Sequence, residues 1–205
     1  PYNMGLNGNI NLTVQDYETQ LNKSFTYIKA IKSQNIEVFS ASPVRIREQK
    51  EFQYYEVGVS NITDSGAIIV NGSDNLKKLA NERSFQRQYL RVGDIVVAFR
   101  ATPRFGVIVE APEVKLVPNT SMIVIRTESD VGAATLCSFL NQQFVFEYLT
   151  SLIMKSVKKQ LSVESLNSLL IPELDKYDSQ ESLSKRFEIQ THYNRIRTLS
   201  HSLKI

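Results

Sequence analysis

The sequence predicts an α+β fold, because it divides into strand-like and helix-like stretches. Between residues 36 and 126, short apolar runs rich in β-branched residues alternate with turn residues such as Asn, Asp and Gly, a pattern typical of strands. Residues 13–33 and 133–154 carry apolar side chains at intervals of three and four, which is typical of helices. The 205 residues have room for one sizeable domain, or for one domain and a helical appendage.

The first predicted element is a helix over residues 13–33. It follows an Asn- and Gly-rich stretch, residues 1–12, that we interpret as a loop. Thr13 and Asp16 have the spacing of a capping box, with Asp16 in place of the usual Glu. One apolar face is then formed by Val14, Tyr17, Leu21, Phe25 and Ile28.

The next segments predict short strands. We expect strands at Ile36–Phe39, Val44–Arg47 and Tyr54–Val59, and a return strand at Ala67–Val70 after the turn-rich residues 61–66. Residues 75–88 are polar and basic, and we expect a loop with a short helical turn there.

The most distinctive segment is an apolar hairpin with a basic tip. Two buried-type strands, Ile95–Phe99 and Gly106–Val109, flank a short loop that contains Arg100, Thr102, Pro103 and Arg104. Val92-Gly-Asp94 precedes the first strand and is interpreted as the turn that aims it. A further strand is expected at residues 121–126.

The pattern after residue 130 changes to helix. Two apolar-rich helices are predicted, Ala133–Leu140 and Gln143–Met154, and their large side chains are too numerous to remain exposed, so they should pack under the strands. A basic turn over residues 155–160 follows. A short capped turn at Ser162–Leu170 and a strand-like Leu169–Pro172 complete this part of the chain.

The charge is concentrated rather than large. The net charge is only +3, yet residues 77–104 carry seven basic residues against Glu82 and Asp94, a local charge of +5. Residues 151–160 contain three lysines and no acidic residue, so the remainder of the chain carries about −5. Such clustering indicates a surface that faces a polyanion, and chance clustering on a solvated surface is the alternative.

The sequence contains no convincing catalytic motif. His192 and His201 are nine residues apart on one predicted helix, which does not place them on one face as metal ligands. Motifs of serine hydrolases, P-loop enzymes and dinucleotide-binding enzymes are absent, and Cys137 lies in an apolar helix. We therefore predict no catalytic residue, metal or cofactor. The Glu113-x-Lys115 spacing of nucleases occurs, but it arises by chance in most chains.

The single cysteine and the absence of long apolar runs bear on the compartment. No run approaches the roughly 18 residues of a membrane span, and no signal peptide is recognisable. One cysteine excludes an intrachain disulfide. We therefore expect a cytoplasmic protein with no membrane partner.

Taken in order, four segments resemble the target-recognition domain of type I restriction-modification specificity subunits. YEVGVSNITDSGAI (55–68) is similar to the opening strand and turn of that domain, and LRVGDIVVAFR (90–100) with GVIV (106–109) is similar to its Gly-Asp-hydrophobic strand and the returning strand. Residues 139–160 resemble its paired helices and basic turn. LSVESLNSLLIP (161–172) resembles its strand into the linking helix. The chain departs from the pattern at Ala101, where the family commonly has Gly, and after Pro172, where Glu173-Leu-Asp replaces a second Pro and a Glu-Gln pair.

The resemblance implies a mixed, β-rich target-recognition domain with packed helices, and a function in sequence-specific recognition of double-stranded DNA. In that family the specificity subunit is not itself an enzyme. It selects the DNA on which a methyltransferase subunit and a motor/endonuclease subunit act. Under this interpretation the phosphate contacts are Lys77, Lys78, Arg83, Arg87, Lys155, Lys158 and Lys159. The candidates for base contact are Arg100, Thr102 and Arg104, with Phe105 packing or wedging beside them.

Family members carry two recognition domains and two long helices, whereas this chain has room for one of each. We expect a recognition domain over residues 1–175 and a long linking or dimerisation helix over residues 176–205. A heptad-like spacing supports that helix and a homodimer through it, with Ile189, Tyr193, Ile196, Ser200 and Leu203 in the seam. Two alternatives remain open: a protein-interaction or assembly module of a phage-defence system, and a nuclease built around Glu113 and Lys115.

Overall fold

The computed structural model describes residues 13–43, 52–63, 66–70, 76–79, 86–100, 102–108, 114–128 and 130–174. The α+β fold class is confirmed. In chain order the helices and strands are α1 (Val14–Ser24), β1 (Ile28–Ala30), β2 (Ile36–Ser40), β3 (Phe52–Val57), β4 (Leu76–Leu79), β5 (Ile95–Ala98), β6 (Arg104–Val107), β7 (Lys115–Pro118), β8 (Met122–Thr127), α2 (Asp130–Leu140), α3 (Gln143–Lys155), α4 (Val163–Asn167) and β9 (Leu170–Pro172).

An antiparallel four-stranded sheet lies at the centre of the fold, in the order β2-β8-β5-β6. Successive side chains of β5 point to opposite faces of this sheet. Ile95 and Val97 belong to one hydrophobic cluster, whereas Val96 and Ala98 belong to another. Every residue of β5, Ile95–Ala98, is apolar because both faces of this strand are buried.

Helices cover one face of the central sheet. Buried side chains of α2 and α3 form a single cluster with those of β5, β6 and β8, among them Leu136, Leu140, Leu149, Ile153, Phe105 and Ile123. Burying one such side chain stabilises a fold by about 1.5–3 kcal/mol. The expectation that the apolar helices pack under the strands is confirmed.

A second sheet covers the other face. Its order is β4-β3-β7, with β3 and β7 parallel, and Val57 and Leu116 contribute to the cluster against the central sheet. Two of its strands were not expected from the sequence. β4 lies within residues 75–88, which were predicted to be a loop with a helical turn; only the 3-10 turn Gln86–Gln88 fits that prediction. β7 was not predicted, because its pairing partner β3 is distant in sequence.

The predicted helix over residues 13–33 is correct in its start and wrong in its length. Thr13 and Asp16 form the expected capping box, in which Asp16 N–H donates to Thr13 Oγ1 at 3.1 Å. Hydrogen bonds from Thr13 hold the pKa of the Asp16 carboxyl below its usual value. The helix ends at Ser24, and Phe25 has extended backbone angles (φ −139°, ψ 135°).

The helix ends early because the following residues pair with the far end of the described chain. β1 forms an antiparallel sheet with β9, and Ile31 N–H donates to the Leu169 carbonyl at 3.0 Å. The Tyr17 hydroxyl donates to the Leu170 carbonyl at 2.5 Å, and its ring stacks on Tyr148 at 4.2 Å. Residues 13–33 therefore pack into the same core as α3 and β9.

The predictions for residues 130–172 are confirmed. α4 begins after Ser162, whose Oγ accepts from Ser165 N–H at 3.0 Å, and β9 follows it. Ala67–Val70, predicted as a return strand, contributes isolated bridges at Ala67 and Ile68 instead. The predicted strand Val44–Arg47 and the helix over residues 176–205, with its heptad-like seam, lie outside the described residues. In the part of the chain that the structure describes, no helix has the length and apolar character to cross a membrane.

Candidate nucleic-acid interface

The apolar hairpin with a basic tip is present, with a small shift in its boundaries. In the β5–β6 register Ile95 pairs with Val107 and Ala98 with Arg104, so Arg104 is the first residue of a strand rather than part of the loop. Gly106 permits close packing here, because a Cβ at this position would lie 2.6 Å from Ile68 Cδ1. The described part of the tip is thus Phe99, Arg100, Thr102 and Pro103, with Arg104 at its edge.

The base of the hairpin is held by the Val92-Gly-Asp94 turn. Gly93 adopts φ +88°, a conformation that glycine readily accepts, and its N–H donates to the Ile108 carbonyl at 2.9 Å. The Asp94 carboxylate is buried and accepts from Arg91 N–H at 2.8 Å. The interpretation of this motif as a structural turn is confirmed.

A bidentate ion pair fixes this turn to β8. Arg126 Nε donates to Asp94 Oδ1 at 2.8 Å, and Arg126 Nη2 donates to Asp94 Oδ2 at 2.7 Å. Nη2 also donates to the Tyr89 carbonyl at 2.9 Å, and the guanidinium carbon lies 5.2 Å from the centre of the Phe39 ring. The hydrogen bonds to Asp94 raise the pKa of Arg126 above its usual value. This pair anchors the strand that carries the basic tip.

The basic turn over residues 155–160 has an ordered backbone. The Ser156 hydroxyl donates to the Ile153 carbonyl at 3.0 Å and accepts from Gln160 N–H at 2.9 Å. Lys159 adopts φ 51°, in the left-handed region that non-glycine residues seldom occupy, and its ammonium donates to the Met154 carbonyl at the end of α3. The turn therefore presents its side chains from a defined frame.

The structure brings the hairpin tip and the basic turn together. Arg100 and Gln160 form an antiparallel bridge, and Leu161 N–H donates to the Phe99 carbonyl at 2.9 Å. We call residues 99–100, 102–104 and 154–160 the two-loop surface. It contains five cationic side chains and no acidic one: Arg100, Arg104, Lys155, Lys158 and Lys159. All five are exposed. Two segments at least 50 residues apart in sequence (104 to 154) thus form one positive surface.

The other predicted contact residues are placed separately. Thr102 is exposed on the hairpin tip. Arg87 is exposed on a 3-10 turn. The neighbouring Gln88 ties this turn to the chain just beyond β2, because its Oε1 accepts from Ser42 N–H at 2.7 Å. Arg87 therefore lies near β2, the edge strand of the central sheet opposite to β6. Lys77 and Lys78 lie on β4, paired in register with Tyr54 and Gln53. Arg83 lies outside the described residues.

Phe105 requires a correction. Only 2% of its surface is exposed, and its side chain is part of the cluster between the central sheet and the helices. Of the two roles expected from the sequence, packing fits the structure and wedging does not, because the ring cannot reach a ligand while the core is intact. Strand alternation explains this: Phe105 pairs with Val97, which faces the same cluster.

Sequence reasoning missed two apolar residues on the two-loop surface. Val157 is 99% exposed and lies between Lys155 and Lys158 in the basic turn, and Met154, which is 64% exposed, directly precedes Lys155. A usable signal was present, since Val157 interrupts the polar and basic run from Lys155 to Gln160.

The described residues offer little for catalysis. Within those ranges, no group of three or more His, Cys, Asp or Glu side chains is placed to hold a metal ion. Cys137 is buried, and burial raises the pKa of its thiol to about 12, so the reactive thiolate is strongly disfavoured at neutral pH. Lys115 is exposed at the start of β7, and Glu113 lies outside the described residues.

The sequence matches no known family profile and no curated protein. The structure is similar to part of the type IIG restriction endonuclease BpuSI, with a TM-score of 0.55 and 10% identity over 86% of this chain and 27% of that one. A type I R-M system complex (TM-score 0.47, 12% identity, 91% and 46% covered) and the HsdS subunit from Thermoanaerobacter tengcongensis (TM-score 0.47, 12% identity, 92% and 44% covered) are further neighbours.

The likeness to BpuSI is a likeness of fold alone. This chain spans less than half the length of each of the three proteins.

Proposed function

We propose that this protein is a sequence-specific recognition domain for double-stranded DNA that serves a restriction-modification system. The observation that carries the proposal is the two-loop surface, where the hairpin tip and the basic turn join through the Arg100–Gln160 bridge. The shared fold with part of a restriction endonuclease supports the same conclusion. The protein itself would be non-catalytic and would select the DNA on which other subunits act.

The surface has the two properties that DNA recognition requires. Five cations without a neighbouring acid in sequence supply affinity for phosphates, which does not depend on base sequence. Fixed side chains at a narrow tip can enter the major groove, where arginine binds guanine through two hydrogen bonds. We assign Lys155, Lys158 and Lys159 to phosphates, and Arg100, Thr102 and Arg104 to base edges.

The remaining assignments extend the phosphate-binding surface. Arg87 is exposed at the β2 edge of the central sheet, and Lys77, Lys78 and Arg83 are proposed on the strength of the sequence alone. A duplex that contacts the two-loop surface would have to extend toward those residues for all of them to take part.

Methylome sequencing of cells with and without the gene tests the proposed function directly. A methylated sequence motif that disappears with the gene is the expected result. An unchanged methylome, together with no preference for any duplex in a selection from random DNA, would contradict it. Binding to an acidic protein in place of DNA would favour an assembly module, and cleavage of plasmid with Mg²⁺ would favour a nuclease.

Lys158→Ala is expected to weaken binding to all duplexes alike. Losing one phosphate contact should reduce the magnitude of the slope of log K, where K is the DNA-binding constant, against the logarithm of the salt concentration by about 1. Anisotropy titrations of a random duplex at several salt concentrations measure this slope. Lys32→Ala is a matched control, since Lys32 is exposed between β1 and β2. The start of β2 lies at the end of the central sheet that is opposite to the hairpin tip. Equal slopes for wild type and Lys158→Ala would remove Lys158 from the interface.

We also propose that residues 176–205 form a helix that joins two copies of the chain or docks it on a methyltransferase subunit. The heptad-like spacing of Ile189, Tyr193 and Ile196 supports this. Removal of residues 179–205 is expected to abolish dimerisation while leaving binding of the isolated domain to duplex DNA. Sedimentation velocity measures the mass. The same oligomeric state in the full and shortened chains would refute dimerisation through this helix.

A further inference from the structure

Val157 is an apolar side chain held fully in solvent at the apex of a basic turn. It is 99% exposed, between Ser156 and Lys158, and Met154, three residues earlier in α3, is 64% exposed. Single exposed apolar residues are common on protein surfaces and need no explanation by themselves. The surroundings of Val157 set it apart, because the turn is ordered and lies on the proposed DNA-binding surface.

The turn that carries Val157 is built to hold it outward. The Ser156 hydroxyl bonds on both sides of Val157, donating to the Ile153 carbonyl and accepting from Gln160 N–H. Lys159 maintains a left-handed backbone at φ 51°, which costs free energy in a non-glycine residue. The bridge from Gln160 to Arg100 then fixes the turn beside the hairpin tip. An ordered turn, strained at Lys159, that keeps the apolar side chain of Val157 in solvent indicates a contact that is made only with a ligand.

The chemistry of the neighbours selects the ligand group. Lys155 and Lys158 flank Val157 in sequence, and both are exposed. Bound to phosphates, they would direct Val157 toward the groove between them. The floor of the major groove contains one apolar feature, the C5 methyl group of thymine, and small apolar side chains recognise it. Valine is not among the side chains that proteins commonly insert between stacked bases, which are those of Phe, Leu, Ile, Met and Pro.

We propose that Val157 reads a thymine by packing on its C5 methyl group, so that the basic turn contributes to sequence specificity as well as to phosphate binding. This inference rests on the proposed function, since it assigns a specificity-determining residue to the same surface. It assigns one A·T base pair of the target to residues 154–160. The remaining bases would be read by the hairpin tip.

A cycle of protein and DNA changes tests the proposal. A preferred duplex is first selected with the wild-type protein from a random pool, and each thymine is then replaced by deoxyuracil, which lacks only the methyl group. At one position the replacement is expected to weaken wild-type binding about fourfold, the change for one buried methyl-sized group. Val157→Ser should bind the thymine duplex about fourfold more weakly and show no further loss with deoxyuracil at that position.

Val92→Ser is the matched control, because Val92 is 37% exposed at the opposite end of the hairpin and should keep the full sensitivity to deoxyuracil. Equal thermal melting of both variants and wild type would show that the fold is intact. The proposal is overturned if Val157→Ser keeps the wild-type response, or if no thymine in the selected duplex is sensitive. Strong bending of the duplex that depends on Val157 would also overturn the proposal, because it would show that the side chain inserts between stacked bases. If no duplex is preferred over the random pool, the proposed function fails with it.

Discussion

Replacing Asp94 with alanine is expected to lower the free energy of unfolding by about 3–5 kcal/mol, the cost of breaking a buried ion pair from one side. The side chain of Asp94 is 2% exposed and that of Arg126 is 14% exposed, so water cannot replace the lost partner fully. The change also leaves Arg91 N–H without the carboxylate that it donates to at 2.8 Å. Because a domain is stable by only about 5–15 kcal/mol, this is a large share of the total.

Chemical denaturation followed by circular dichroism measures this effect. Glu37→Ala is the matched control: its carboxylate lies 3.9 Å from Arg126 Nη1 and its side chain is 65% exposed, so a loss of at most about 1 kcal/mol is expected. Should Asp94→Ala not fold, Asp94→Asn can replace it. Asparagine keeps an acceptor for Arg91 N–H, so this variant measures the effect of losing only the negative charge of Asp94. A loss for Asp94→Ala no larger than that for Glu37→Ala would show that the ion pair does not hold the turn.

A double-mutant cycle measures the interaction energy between Asp94 and Arg126 separately from their contacts with other residues. Arg126→Ala removes the buried charge that Asp94→Ala leaves unpaired, so the double variant should be more stable than the sum of the single losses predicts. The turn at Val92-Gly-Asp94 sets the start of β5, and the hairpin tip lies at the other end of that strand. A weakened turn should therefore also lower DNA affinity at temperatures well below the unfolding transition.

Arg104→Ala is expected to cost about 1–3 kcal/mol in binding to the preferred duplex, or roughly 5- to 150-fold, and to relax the preference at one base position. Arg104 is exposed at the first position of β6, beside the tip, and a strand holds a side chain more firmly than a loop does. A guanidinium in a fixed position can form both hydrogen bonds to one guanine. Binding to random duplex should fall much less.

Competition binding against a panel of single-base variants of the preferred duplex tests this result. Arg87→Ala provides an arginine-to-alanine control away from the tip and should weaken all panel members alike. Arg104→Lys separates charge from geometry, since lysine retains the charge but not the two parallel hydrogen bonds. If Arg104→Ala shifts every panel member by the same factor, Arg104 contacts phosphate and does not read a base.

The elements that were predicted well are those whose signals are local. The capping box at Thr13 and Asp16, the hairpin strands, and the helices α2 and α3 follow from spacing within about ten to twenty residues. The basic character of the tip was equally visible. The predicted length of the first helix was wrong because the apolar spacing continued through Phe25 and Ile28, where pairing with β9 selects extended backbone.

The arrangement of the candidate site could not be predicted from these local signals. β4 and β7 acquire their strand geometry from β3, which is far away in sequence, and their own residues carry weak strand patterns. The burial of Phe105 depends on which face of β6 meets α2. The exposure of Val157 depends on how Ser156 and Lys159 close the turn.

The sequence by itself determined that the protein has an α+β domain with an apolar hairpin, a basic tip and a second basic turn, because apolar periodicity and charge are properties of neighbouring residues. Only the tertiary structure decided that the tip and the turn form one surface. The Arg100–Gln160 bridge and the hydrogen bond from Leu161 N–H to the Phe99 carbonyl join them, and both exist because α3 packs on the sheet that carries the hairpin. Contacts between distant residues are set by the packing of the whole core, which no local pattern contains.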